Sequence, residues 1–127
     1  MEVLEVGKTY TKTRVFTLEE NDDFTKLSQY VGKHHTVPNE DDEYMNQGLL
    51  TATLPTWLGG EYNIIMYRME FNFRRPVYTG DAITAAITVD SAEKKKGRTH
   101  YHISFECTKE DGTVVLDGIF LGVPFEE

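Results

Sequence analysis

The chain has 127 residues and a mass of 14.6 kDa, which suits one compact domain and leaves no room for two independent ones. Its 39% hydrophobic and 27% charged residues are typical of a globular protein and exclude intrinsic disorder. A formal net charge of −8 argues against the basic surfaces that bind nucleic acid or anionic membranes. We therefore expect a single domain over residues 1–127, with no nucleic-acid partner.

Cysteine usage and the N-terminus bear on the cellular compartment. The single Cys107 cannot form an internal disulfide, and its strand-like surroundings predict a buried free thiol rather than a nucleophile or ligand. The first residues are acidic where a signal peptide is basic and then apolar, and no apolar run approaches the ~20 residues that span a bilayer. These features predict a cytoplasmic protein without a membrane partner.

A capping box opens the first predicted helix. Thr17 is followed three residues later by Glu20, so that each side chain can bond the other residue's backbone amide. The pattern predicts a short helix toward Tyr30. Its apolar side is predicted to carry Phe16, Phe24 and Leu27.

A loop and a buried helix are predicted next. Residues 31–44 are rich in Gly, Pro, Asn and acidic side chains, which favours a loop. From Gly48 to about Leu58 almost every side chain is apolar, so a helix there must be buried. Pro55 leaves open a kink or an earlier end near Leu54, and the two glycines after Leu58 are predicted to end the helix.

After Tyr62 the apolar period changes to two residues, which is typical of half-buried strands. Asp111-Gly112 predicts a hairpin turn, and the basic run at residues 94–96 before Gly97 predicts another. An antiparallel sheet wrapped around the apolar helix, an α+β fold, is therefore predicted. The residues predicted to share one face are, strand by strand, Tyr67, Met69, Phe71 and Phe73; Ile83, Ala85, Ile87 and Val89; Thr99, Tyr101, Ile103, Phe105 and Cys107; and Val114, Leu116, Gly118 and Phe120.

Four segments, in this order, carry a family resemblance. They are Val6-Gly7, Thr17-Leu-Glu-Glu20 with Phe24 and Leu27-Ser28, Gly48-Leu-Leu-Thr-Ala52, and Phe73-Arg-Arg-Pro-Val-Tyr-Thr-Gly-Asp81, of which the last is the most specific. The sequence resembles the MaoC-like branch of the hot-dog superfamily, whose members hydrate or dehydrate acyl chains carried on coenzyme A or acyl carrier protein. The resemblance implies a hot-dog fold, an acyl-thioester substrate that brings its own carrier, and no separate cofactor.

Gly48 is the first candidate site residue. In the resembling family a glycine at the start of the central helix offers its amide to the thioester carbonyl, and Gly48 matches that position. A helix N-terminus presents unpaired N–H groups and partial positive charge, and a residue without a side chain lets a carbonyl approach. The alternative is that Gly48 only permits tight packing.

His35 is the second candidate. The resembling family uses an Asp followed five positions later by a His to handle the water and the α-proton, and His35 matches that His. Tyr30 stands at the Asp position, and Gly32 and Lys33 replace the usual Asn and Pro. A tyrosine hydroxyl is a far weaker base than a carboxylate at neutral pH. The His that often precedes the helix glycine is replaced by Gln47.

Other polar residues offer alternatives. The acidic loop at residues 40–43 is able to supply a substitute carboxylate, although a solvated loop is the simpler interpretation. His34 beside His35 raises the question of a metal, but neighbours on extended backbone point to opposite faces, and no closed zinc spacing is present. We therefore predict no metal. His100 and His102 are expected to face solvent or an interface.

Three functions stay open from the sequence. The first is (R)-specific hydration of enoyl thioesters or dehydration of 3-hydroxyacyl thioesters, with Gly48 polarising the carbonyl and His35 transferring a proton. The second is thioester hydrolysis, with Glu43 or Asp42 as the acidic residue. The third is non-catalytic binding of acyl thioesters. The resemblance also implies a homodimer or a higher homo-oligomer, since a hot-dog sheet exposes an edge.

Overall fold

The structure, a computed structural model, describes residues 3–126 as one five-stranded antiparallel sheet with three helices. The strand order across the sheet is β1-β3-β4-β5-β2, so β1 and β2 form the two edges. In chain order the elements are β1 (Thr9–Val15), α1 (Leu18–Ser28), α2 (Lys33–Thr36), α3 (Gly48–Glu61), β2 (Ile64–Phe73), β3 (Ala82–Lys95), β4 (Arg98–Lys109) and β5 (Val114–Pro124). The predicted α+β arrangement of a sheet with one apolar helix is confirmed.

Helix α3 is the apolar helix against which the sheet packs. It runs without a break over 14 residues to Glu61, so the predicted end near Leu58 and the earlier end are both wrong. Pro55 lies inside the helix and is buried. Gly59 does not end the helix. It permits close packing instead, because a Cβ there would stand 2.9 Å from Cε of Met66 in β2.

Helix α1 begins as the sequence predicts. The hydroxyl of Thr17 accepts a bond from the Glu20 amide, and the Glu20 carboxylate accepts one from the Thr17 amide. The helix ends at Ser28, before the predicted Tyr30. The apolar side was predicted wrongly at Leu27, which is 80% exposed. The buried residues of α1 are polar, Asn21 and Thr25, because they bond residues of the candidate site.

Strands β3, β4 and β5 form the centre of the sheet, and their predicted inward faces are largely confirmed. The four residues predicted for β3 have no exposed surface, and Cys107 in β4 is a buried free thiol. Burial raises the pKa of this thiol to about 12, which leaves it inert at neutral pH. The face of β5 differs, because a bulge opposite Cys107 and Thr108 places Val115 and Leu116 together on the inside.

Both predicted hairpin turns are present. Gly97 joins β3 to β4 with φ of +79°, and Gly112 lies in the turn before β5 with φ of +87°. These are left-handed backbone conformations that favour glycine. The tight turns explain why the three central strands pair with their neighbours in the chain.

Strand β2 departs from the predicted half-buried pattern. A bulge between Met66 and Arg68 shifts the register with β5. The alternation of inward and outward side chains is therefore not continuous along the strand. Tyr67, Met69 and Phe73 are about half exposed, whereas Phe71 packs on the aromatic rings of the core. This edge strand therefore leaves a row of large apolar side chains uncovered.

Of the helices within residues 3–126, none combines the length and the apolar character required to cross a bilayer.

Candidate active site

A cavity of about 560 Å³ lies where the N-terminus of α3 meets α2 and the end of β2. Both residues predicted from the sequence, His35 and Gly48, line it. Tyr30 and His34 line it too. The fold thus brings together residues that are more than ten positions apart in the chain.

His35 is held in a defined orientation. Its side chain is 7% exposed, and Nδ1 lies 2.8 Å from the backbone oxygen of Met45. A carbonyl oxygen only accepts hydrogen bonds, so Nδ1 carries the proton and Nε2 has a free lone pair. Burial lowers the pKa of His35, the Met45 carbonyl raises it in part, and the neighbouring His34 lowers it further. The ring is therefore neutral at pH 7 and suited to accept a proton at Nε2.

The two adjacent histidines do not point to opposite faces as predicted. Residues 33–36 form one helical turn, α2, within the stretch predicted to be a loop, so the rings of His34 and His35 lie 3.9 Å apart, centroid to centroid. The side-chain amide of Asn21 donates to the backbone oxygen of His35 at 3.2 Å and ties this turn to α1.

Tyr30 stands beside both histidines. Its hydroxyl oxygen is 3.3 Å from Nε2 of His34, and its ring centroid is 5.4 Å from that of His35. We call Tyr30, His34 and His35 the ring cluster. All three of its members line the cavity.

The start of α3 presents free amides to the same cavity. The amides of Leu50 and Thr51 donate to the oxygen of Gln47. Those of Gly48 and Leu49, which line the cavity, have no acceptor in the part of the chain that the structure describes. Two adjacent N–H groups at a helix N-terminus form a site that can stabilise a negatively charged oxygen.

Gly48 also permits close packing. A Cβ at this position would stand 2.6 Å from Cε1 of Phe73, at the end of β2. Phe73 is about half exposed, and its ring lines the cavity beside Gly48. The packing and the carbonyl-binding interpretations of Gly48 are therefore compatible with each other.

The side chain of Gln47 links neighbouring segments in the wall of the cavity. Its side-chain nitrogen donates to the Thr25 hydroxyl at 3.0 Å and to the Tyr30 backbone oxygen at 3.1 Å, and its side-chain oxygen accepts from Ser28 at 3.1 Å. These bonds connect the end of α1, the ring cluster and the start of α3. Gln47 thus positions the site without offering a free group to a ligand.

The acidic loop does not reach the cavity. Among the cavity-lining residues that the structure describes there is no Asp or Glu. The Asn39 side chain organises the loop: its oxygen accepts from the amides of Asp41 and Glu43, and its nitrogen donates to the Glu43 carboxylate. The loop therefore does not bring a substitute carboxylate beside His35 in this chain.

Two polar side chains at the cavity were missed by the sequence analysis. Asn46 is 3% exposed, and neither its side-chain nitrogen nor its side-chain oxygen has a partner; the Thr51 hydroxyl is likewise buried without one. Both residues line the cavity. The sequence signal was a polar pair, Asn46 and Gln47, directly before a wholly apolar helix.

The remaining histidines lie elsewhere. His100 contacts the hydroxyl of Tyr67, and His102 bonds Asp90 at 3.0 Å on the exposed surface of β3 and β4. Across residues 3–126, three or more His, Cys, Asp or Glu side chains nowhere gather as a metal site. Neither histidine belongs to the cavity.

Several known proteins are similar to this chain. No protein-family model matches the chain. A mitochondrial 3-hydroxyacyl-acyl-carrier-protein dehydratase of Solanum lycopersicum is 26% identical, over 91% of this chain and 74% of its own length. The unliganded R-hydratase of Pseudomonas aeruginosa superimposes with a TM-score of 0.84 at 20% identity, over 98% of this chain and 84% of that one.

Two further solved structures share the fold. The (R)-hydratase of A. caviae involved in PHA biosynthesis has a TM-score of 0.84 at 21% identity, over 98% of this chain and 99% of that one. The MaoC-like dehydratase of Rhodospirillum rubrum has a TM-score of 0.74 at 16% identity, over 98% and 94%. The hot-dog fold is confirmed, and so is the resemblance to MaoC-like hydratases and dehydratases.

Proposed function

We propose that this chain removes water from (R)-3-hydroxyacyl thioesters and adds it to the matching enoyl thioesters. Coenzyme A or acyl carrier protein carries the acyl group, and no separate cofactor takes part. One observation carries the proposal: a neutral His35 with a free Nε2 shares a cavity with the unpaired amides of Gly48 and Leu49.

These groups suit the chemistry of dehydration. Removal of the proton on the carbon next to the thioester creates negative charge on the thioester oxygen. A buried, neutral imidazole is a suitable base for that proton at pH 7. Two amides at the start of α3 stabilise the developing oxygen charge more than they stabilise the neutral carbonyl, which lowers the barrier.

The cavity also suits an acyl chain. A volume of about 560 Å³ falls within the range of small-molecule sites. Val77, Val115 and Leu116 give its wall apolar side chains. A short acyl group can therefore lie against apolar surface while its thioester meets the amides of α3.

Thioester hydrolysis is less well supported. In that reaction Glu43 or Asp42 would supply the acidic side chain, and neither residue lines the cavity. Glu43 is bonded to Asn39 instead. Binding of an acyl thioester without turnover would leave both signals of the assay below unchanged.

The proposed active form is a homodimer in the cytoplasm. Strand β2 is an unpaired edge, and Ile65, Tyr67, Met69 and Phe73 on it are each 45% exposed or more, which is costly in water. The reduced Cys107 suits a reducing compartment. Sedimentation equilibrium is expected to give about twice the chain mass of 14.6 kDa, and a monomer at assay concentrations would contradict the dimer.

The test of the proposed function follows two signals at once. Purified protein is mixed with crotonyl-coenzyme A, and with crotonyl-acyl carrier protein, while enoyl absorbance and free thiol are recorded. Loss of the enoyl band without thiol release, with an (R)-3-hydroxybutyryl product, is the expected result. Thiol release would assign a thioesterase instead. No change in either signal with either carrier would overturn the proposal.

A further inference from the structure

Dehydration needs two proton transfers, and His35 has one free nitrogen. One group must take the α-proton, and one must give a proton to the departing hydroxyl. The other ionisable side chains of the described residues that line the cavity are Tyr30, His34, Arg74 and Arg75. A guanidinium does not give up its proton in proteins. Among these side chains, Tyr30 and His34 are therefore the candidates for the second transfer.

Tyr30 is held beside His35 by two contacts. Its hydroxyl lies 3.3 Å from Nε2 of His34, with the two rings edge to face at 5.7 Å. Its backbone oxygen accepts from the Gln47 side chain at 3.1 Å. These contacts keep the phenol at the cavity although the side chain is half exposed.

Gly32 provides the space for this pair. A Cβ at Gly32 would stand 2.7 Å from Cε1 of His34 and 3.2 Å from Cε1 of Tyr30. Its φ of −59° is open to any residue, so the backbone does not require glycine here. The missing side chain leaves room for the Tyr30 and His34 rings, so two departures from the resembling family, Tyr30 and Gly32, fit one another.

We propose that Tyr30 is the general acid for the departing hydroxyl group and that His34 is its positioning residue. This inference rests on the proposed function. His34 carries its proton on Nε2 and donates it to the Tyr30 oxygen, which leaves the phenolic O–H free to face the substrate.

The protons and electrons of dehydration balance with the residues of the site and solvent. Nε2 of His35 takes the α-proton, and the electrons of that C–H bond form the double bond. The bond between the β-carbon and oxygen breaks, and the oxygen leaves as water with the proton of Tyr30. The phenolate accepts the bond from His34, and the proton on His35 returns to Tyr30 through solvent. Hydration runs the same steps in reverse.

The test separates the acid from the base by changing the leaving group. Chloride leaves without a proton, whereas hydroxide does not. Tyr30→Phe is expected to slow dehydration of (R)-3-hydroxybutyryl-coenzyme A by about 10²-fold or more while elimination from 3-chlorobutyryl-coenzyme A changes little. His35→Ala is expected to slow both eliminations, because each requires loss of the α-proton.

The outcomes are distinct. Equal losses of Tyr30→Phe on the two substrates would show a structural role, and an unchanged rate on the hydroxy substrate would show no role; either would overturn the inference and leave the proposed function standing. Wild-type protein inactive on the hydroxy substrate would overturn both.

The positioning role of His34 is tested first with a variant that changes no ionisable group. Gly32→Ala should displace the His34 ring and slow dehydration of the hydroxy substrate roughly tenfold, the value of one lost hydrogen bond. Gly60→Ala, with no atom within 4 Å of the added methyl, is the matched control and is expected to match wild type. His34→Gln, which can still donate, is expected to keep more activity than His34→Ala. An unaffected Gly32→Ala, or equal losses in the two His34 variants, would overturn this role.

Discussion

Gly118→Ala is expected to lower the free energy of unfolding by about 3 kcal/mol or more. Gly118 lies in β5 between Phe71 of β2 and Phe105 of β4. A Cβ there would stand 1.8 Å from the backbone oxygen of Glu70 and 2.9 Å from Cζ of Phe105. The nearest neighbour is backbone, so no side-chain rotation can relieve the clash, and β2 must move away from β5.

That displacement is expected to reach the candidate site. Strand β2 ends at Phe73, whose ring packs on Gly48 at the start of α3. Urea denaturation of Gly118→Ala measures the loss of stability, and Gly60→Ala serves as the control because its methyl meets no atom within 4 Å. A Gly118→Ala curve that superimposes on that of wild type would contradict the close approach of β2 and β5.

The central sheet could be predicted from the sequence because its signals are local. Alternating apolar residues and turns such as the one at Gly97 set strands β3 to β5 without any information from distant residues. The capping box at Thr17 likewise needs only its own helix. Where strand and turn chemistry act between near neighbours, the prediction and the structure agree.

Helix α2 and the inward side of α1 were not predictable in this way. A four-residue turn carries no helical period, and it is held by the bond from Asn21 to the His35 backbone. Asn21 and Thr25 are buried because distant partners satisfy their polar atoms, so a search for an apolar face selects Leu27 instead. Tertiary hydrogen bonds override the hydrophobic pattern at these positions.

The pairing of His35 with Gly48 followed from the resemblance, but the state of the His35 ring did not. That state depends on the Met45 carbonyl, which is positioned by a β-bridge to Tyr78. The backbone N–H of the neighbouring Asn46 donates to the backbone oxygen of Val77. The most specific motif of the sequence, residues 73–81, therefore shapes the site in two ways: it positions the backbone of Met45, and its side chains at Phe73 and Val77 line the cavity.

Replacement of His35 by glutamine is expected to lower kcat for dehydration by about 10²–10⁴-fold, because it removes the base while keeping an amide that can donate to Met45. KM is expected to change little, since the free amides of Gly48 and Leu49 remain. His102→Gln is the matched control: His102 lies on the exposed surface bonded to Asp90, and its replacement should leave both constants unchanged. Comparable losses of kcat in the two variants would contradict the assignment of His35.

The pH profile gives a second check on His35. Burial lowers the pKa of His35 from the ordinary imidazole value of 6.5, and the base must be neutral to act. Wild-type kcat/KM is therefore expected to fall on acidification with a midpoint below pH 6.5, as His35 takes up a proton. A midpoint at or above pH 6.5 would contradict the buried, neutral ring.

The lowered pKa of His35 also makes the free energy of unfolding depend on pH. Between the lowered pKa of the folded state and the ordinary value of 6.5, unfolded His35 binds more protons than folded His35. The contribution of His35 to stability is thus complete above pH 6.5 and is lost as the pH falls through that window. His35→Gln lacks this contribution, so the stability difference between wild type and the variant should narrow on acidification. If the difference in the free energy of unfolding stays constant from pH 7 to pH 5, His35 is not desolvated in the folded protein. Burial would then not explain a neutral His35 ring.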